Sequence, residues 1–211
     1  MGTVPTVLGQ SMRGERAFDT YSLSPKERIV FRGHEVDDRI ASLLVAEILY
    51  LDTQDPEREI QLYINSPGGL AHAELAIHEV MQHVSCEVAT LCIGMGMSAA
   101  PTGLCGGARG KRRALLSARI MIHRGSACTR GAPRDMETQV KEVMVNTRRM
   151  EEIIAHHSNR SLGEVEGDID RDYFMTAEEA RSYGPADEVP EPRRGIAVRP
   201  PAAGLTARLA R

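Results

Sequence analysis

Three residue types that can together hydrolyse an acyl bond stand at distinct points of the chain. Ser98 follows Gly94-Met95-Gly96-Met97, where a small-residue helical segment begins. His123 closes the apolar run that starts at Arg119, and an aspartate lies in the polar stretch beyond a long helical segment. A serine hydroxyl attacks a carbonyl only when a base removes its proton. An imidazole, neutral near pH 7, is suited to that task, and a carboxylate can hold the required tautomer. Two glycine-bearing junctions, Asn65-Ser66-Pro67-Gly68-Gly69 and Gly94 to Ser98, each lead from a strand pattern into a helix pattern. A backbone N–H at a helix start is a ready donor to an oxyanion, and small residues let substrate approach. Neither junction matches Gly-x-Ser-x-Gly, the P-loop or the dinucleotide fingerprint. Seven histidines leave other bases open on linear order alone, among them the adjacent His156 and His157, for which a helix surface is the expected place.

Positioning such groups falls to elements that alternate along the chain as in a layered α/β domain with crossover helices. Arg28 to Phe31 reads as a short strand. Asp37 then caps a helix whose Ile40, Leu43, Leu44, Ile48 and Leu51 share one face. Ile60, Leu62 and Ile64 alternate with Gln61 and Tyr63 as a strand that breaks at the Asn65 cluster, before a helix through Leu75, Ile77 and Val80. Val88 to Ile93 is a third strand and Arg119 to His123 a fourth. From Pro133 the spacing of Met136, Val140, Val143, Met144, Met150, Ile153 and Ile154 predicts one long helix, expected to project as an arm. After Pro190 the composition turns to Pro, Arg, Gly and Ala without periodicity, the signature of a disordered tail.

Composition narrows the partners. A formal net charge of -3, with no basic run longer than Lys111 to Arg113, gives no footprint for nucleic acid or an anionic membrane. No run reaches the roughly 18 apolar residues of a membrane span, and the N-terminus lacks the basic and apolar regions of a secretory leader, so a cytoplasmic location is expected. Cys86, Cys92, Cys105 and Cys128 show no metal-ligand or CxxC spacing, and most of them read as reduced, buried thiols. Lysine occurs only at Lys26, Lys111 and Lys141 against many arginines, which suggests a GC-rich bacterial genome.

Across this frame the chain resembles the proteolytic subunit of the ATP-dependent Clp protease. The resemblance starts at Gly14-Glu15-Arg16, Phe18-Asp19, Tyr21-Ser22 and Lys26-Glu27-Arg28, and continues through Tyr63 to Gly69 and Gly94 to Ser98. It then covers Gly110-Lys111-Arg112, Met121-Ile122-His123, Asp170-Arg171-Asp172 with Phe174, and Tyr183-Gly184 with Asp187, spanning roughly residues 4 to 189. It implies a crotonase-like α/β fold with a projecting long handle helix. Residues 1–20 would form an axial segment, 21–189 the peptidase domain and 190–211 the tail. It further implies Ser98 as nucleophile, His123 as general base and Asp172 as third triad member. The backbone amides of Gly69 and Ala99 would form the oxyanion hole, and Leu70, Ser126 and Ala127 would flank substrate. No metal or organic cofactor is required. The implied assembly is two stacked seven-membered rings that degrade unfolded polypeptides supplied by an AAA+ unfoldase.

Departures from the family pattern carry their own expectations. After His123 the family shows Gln-Pro and paired glycines, whereas this chain reads Arg124-Gly125-Ser126-Ala127-Cys128-Thr129-Arg130-Gly131, which would narrow the substrate groove and alter ring pairing. Ala99-Ala100-Pro101 replaces the usual Met-Gly after the nucleophile. Three aromatic positions of the unfoldase-docking pockets correspond to Gln61, His83 and Arg113, while Tyr63 and Leu115 keep apolar character. Weak docking on this subunit, and a mixed assembly with a paralogue that carries the pockets, are therefore expected. Two alternatives stand beside an active peptidase: a structural or regulatory ring subunit active only with a paralogue, and an acyl-CoA enzyme of the crotonase type, against which the serine–histidine–aspartate register speaks.

Overall fold

The computed structural model describes residues 6–11, 14–19, 27–125 and 130–192. Ser126, Ala127 and Cys128 of the segment after His123, and the tail beyond Pro192, lie outside the described residues. Near the N-terminus, β1 (Thr6–Ser11) and β2 (Gly14–Asp19) pair antiparallel. The remainder is a mixed α/β fold around a six-stranded sheet. Strands β3 (Ile29–Arg32), β4 (Ile60–Ser66), β5 (Val88–Met97) and β7 (Arg119–Ile122) run parallel in that order, and β8 (Tyr173–Thr176) closes the edge antiparallel to β7. The three-residue β6 (Arg112–Ala114) pairs with the first half of β5, and β7 with its second half. Ten residues of β5 thus serve two neighbours in succession.

Local chemistry accounts for most boundaries. Asp37 accepts the Ile40 N–H at 2.8 Å and opens α1 (Asp38–Gln54), whose Ala41, Leu44, Ile48 and Leu51 are buried at helical spacing. Leu43, expected on that face, is 58% exposed, because it stands about 100° round the helix from Leu44. Arg28 is not the first strand residue: it adopts a left-handed turn (φ 59°) and donates to the carbonyls of Leu51, Arg58 and Glu59, tying the end of α1 to the loop before β4. β4 alternates buried and half-buried positions, as its sequence predicts. It runs on through Ser66, and α2 (Ala71–His83) follows.

The long helix α4 (Pro133–Ser158) is exposed throughout residues 133–142 and buries only its last turns, with Ile153, Ile154 and Ala155 in the core. It stops where Asn159 takes the left-handed conformation. Capping boxes Ser161/Glu164 and Thr176/Glu179 start α5 (Leu162–Asp168) and α6 (Ala177–Tyr183). Cys86, Cys92 and Cys105 are buried free thiols, and burial pushes Cys92 and Cys105 up to about 12. Among the described residues no helix is long and apolar enough to cross a membrane.

Candidate active site

Strand pairing brings the nucleophile and base together. Parallel pairing of β5 and β7 sets Met97 beside Met121, and the Ser98 N–H extends the ladder by donating to the Met121 carbonyl at 2.9 Å. Ser98 and His123 therefore leave the same edge of the sheet from adjacent strands. Antiparallel pairing of β7 with β8 sets Ile122 opposite Tyr173, so the next residues outward, His123 and Asp172, also face each other. The result is a continuous relay: Ser98 Oγ lies 2.8 Å from His123 Nε2, and His123 Nδ1 lies 3.1 Å from Asp172 Oδ1. A carboxylate only accepts, so Nδ1 carries the proton and Nε2 is left to accept from the serine hydroxyl. The His123 side chain is 25% exposed and that of Asp172 is 61% exposed.

The nucleophile sits on a strained turn. Ser98 has φ 59°, a left-handed conformation costing roughly 1–3 kcal/mol that persists where surrounding structure over-determines it. Part of that determination comes from Gly68, whose backbone packs on the turn: a Cβ there would stand 2.6 Å from Ser98 Cβ and 2.7 Å from the Met97 carbonyl oxygen. Gly69 is equally constrained, since a Cβ would come within 2.1 Å of the Val36 carbonyl oxygen. Beyond Ser98, Ala99 caps the six-residue α3 (Ala100–Cys105), and Pro101 falls in its first turn, where a missing N–H costs nothing. The Ala99-Ala100-Pro101 departure is thus accommodated without loss of the helix.

Beneath α3 lies a fully buried ion pair. Arg32, at the end of β3, meets Glu74 of α2 through contacts of 2.8 and 2.6 Å, with both side chains at 0% exposure. Burial pushes the Glu74 carboxyl up, and the Arg32 guanidinium pulls it back. Gly103 of α3 rests on this pair, for a Cβ there would stand 2.6 Å from Glu74 Oε1. At the other end of the helix, Thr90 donates to the Leu104 carbonyl at 2.9 Å and Gln82 to that of Gly106 at 2.7 Å. Two carbonyls at the helix C-terminus thereby gain side-chain donors.

Gly69, Leu70 and Ala99 line the same cleft as Ser98 and His123, and Leu70 is 45% exposed there. Among the described residues neither the Gly69 nor the Ala99 amide donates a backbone hydrogen bond. Ser126 and Ala127, expected along the same groove, lie outside the described residues. His156 is exposed on α4 as expected, but His157 is half-buried: its Nε2 lies 3.3 Å from that of the buried His78. Among the described residues no three His, Cys, Asp or Glu side chains converge as metal ligands.

Gly68, Arg32 and Glu74 support the site, and sequence reading passed over their roles. The available signal was phase. Arg32 follows the buried Val30 by two strand positions, and Glu74 lies between the buried Ala73 and Ile77, so opposite charges occupy inward positions of two elements. With this geometry in place, comparison with known families is informative: a family model described as Clp protease matches residues 12–193.

Proposed function

The chain belongs to the Clp protease family, and from that premise we propose that it is the serine endopeptidase subunit of an ATP-dependent Clp protease, with Ser98, His123 and Asp172 as its catalytic triad. The observation that carries this reading is the unbroken relay from Ser98 Oγ to His123 Nε2 at 2.8 Å and from His123 Nδ1 to Asp172 at 3.1 Å. As Ser98 Oγ attacks a peptide carbonyl, His123 Nε2 takes its proton, and Asp172 stabilises the imidazolium that forms. The amides of Gly69 and Ala99 are the proposed donors to the oxyanion, each worth about 3 to 4 kcal/mol if lost. His123 then protonates the leaving amine, and water, deprotonated by the same imidazole, releases the acyl-enzyme.

Family membership carries ring assembly and cooperation with an AAA+ partner. The finer reading is a crotonase-like subunit of two stacked seven-membered rings in the cytoplasm, acting on unfolded polypeptides. Mixed rings are favoured by the docking face, where Tyr63 donates to Gln61 at 3.3 Å and Arg113 pairs with Glu188, polar contacts where aromatic walls would offer apolar area. Unfoldase docking would then fall to a paralogous subunit. One observation favours the second reading, a subunit active only beside a paralogue: the Asp172 side chain is 61% exposed in the single chain, so water competes for its bond to His123 until a neighbour covers it.

The deciding experiment is labelling of the purified chain with a serine-directed fluorophosphonate, with Ser98→Ala as control, with and without the paralogue. Labelling of the isolated chain establishes a self-sufficient site. Labelling only in the mixed assembly establishes a conditional one, and none in either refutes the peptidase reading.

A further inference from the structure

The cleft beside Ser98 opens into a cavity of about 510 Å³. Ile122, Val143, Met150, Ile154 and Ile169 supply apolar lining, and Glu151 is set among them. Val143, Asn146, Thr147, Met150, Glu151 and Ile154 share the face of α4 that borders the cavity, so the Glu151 carboxylate sits there among apolar and neutral polar side chains. The Glu151 side chain is only 9% exposed. Among the described residues it accepts no hydrogen bond: its nearest cations are Arg148 at 3.8 Å and Arg124 at 4.0 Å, both beyond bonding distance. Arg148 is committed elsewhere, to Glu152 at 3.3 Å and to Glu166. Arg124 is 53% exposed. Burial without a bonded partner pushes the Glu151 carboxyl up. A nearly buried carboxylate with unused lone pairs is costly unless something fills them.

We propose that Glu151 is a specificity-determining residue, and that this cavity takes a substrate side chain with an apolar stem and a cationic head, lysine or arginine, on the acyl side of the cleaved bond. The apolar walls cover the methylenes while the head donates to Glu151. Acidic side chains are rejected by like charge, and a purely aliphatic chain of the same length leaves the carboxylate without a hydrogen-bond donor. The inference rests on the peptidase reading of the cleft.

Peptidyl diphenyl phosphonates test it, since Ser98 Oγ displaces one phenoxide from phosphorus and the adduct is counted by intact mass. The protein is used in whichever assembly labels with fluorophosphonate. Probes carrying lysine or norleucine at the reacting residue share a stem and differ only in the head. The lysine probe is expected to react on the order of tenfold faster than norleucine. Glu151→Leu is expected to invert that order and Glu151→Gln to shrink it, each read as the ratio of the two probes' rates in the same protein. Equal rates, or faster reaction of norleucine in the unmodified protein, would overturn the proposal and leave the peptidase reading intact. Failure of every probe, fluorophosphonate included, would overturn both.

Discussion

At the N-terminal end of α3, His123 stands between a hydroxyl and a carboxylate with part of its ring open to solvent. At the C-terminal end, His78 is buried against Gly106, where a Cβ would stand 2.7 Å from its ring, and its other neighbour is the ring of His157. The first imidazole has a donor on one side and an acceptor for its N–H on the other, so a proton gained at Nε2 is compensated at Nδ1. The second has no such compensation: Glu79 comes no nearer than 4.0 Å, and Arg149 and His156 oppose further positive charge. Burial lowers both pair members, and His157 is brought down to about 4 by desolvation first and then by His78 and other nearby cations. One short helix therefore separates an imidazole arranged to change its protonation from a pair arranged to keep it.

The sharpest way to break this comparison is His123→Ala. Loss of the base is expected to lower peptide hydrolysis by about 10⁴-fold or more while leaving the unfolding midpoint in urea nearly unchanged. A large loss of stability instead would make His123 a packing residue like His78.

Next in size is the ion pair on which α3 rests between the two imidazoles. Arg32→Met leaves Glu74 buried and unpaired and is expected to cost about 3–5 kcal/mol in equilibrium unfolding, whereas Arg32→Met combined with Glu74→Leu should recover most of it. Equal destabilisation by the single and double variants would deny that charge, rather than volume, holds the helix.

The smallest effect belongs to the histidine pair. Between about pH 6.5 and pH 4 the unfolded chain takes up a proton at residue 157 that the folded chain refuses, so stability is full above that window and falls as pH drops through it. The slope from one such group is at most about 1.4 kcal/mol per pH unit, and less here because the ring is only half-buried. His157→Gln is expected to flatten this part of the profile in urea titrations, with little change near pH 7.5. Parallel profiles for the two proteins would show that the pair titrates as freely as surface histidines.

Several features were legible because their causes are local. The Asp37 cap needs only a carboxylate three residues before an N–H, the β4 alternation needs only the two-residue strand period, and the proline start of α4 follows from the missing donor of Pro133. Long-range pairing obscured the rest. β6 carries Arg112 and Arg113 and has no strand pattern of its own, and it exists because β5 is long enough to hold a second partner, with Arg112 bound to Asp187. His157 read as helix surface because nothing near it in the chain reveals His78, 79 residues away. Leu43 misled for the opposite reason, since an apolar residue at the margin of a helical stripe need not be covered.

Residue types and local breaks determined what chemistry was available: a serine and a histidine each placed at the end of a strand, glycines where a side chain would collide, and an aspartate beyond a long helix. Tertiary structure decided which imidazole meets which carboxylate. That outcome depends on the parallel register of β5 on β7 and the antiparallel register of β8 on β7, which set residues 98, 123 and 172 at one edge of the sheet. A slip of one residue in either ladder would send the side chain to the opposite face. Such registers are selected by burial of the whole sheet, a property no local stretch of sequence contains.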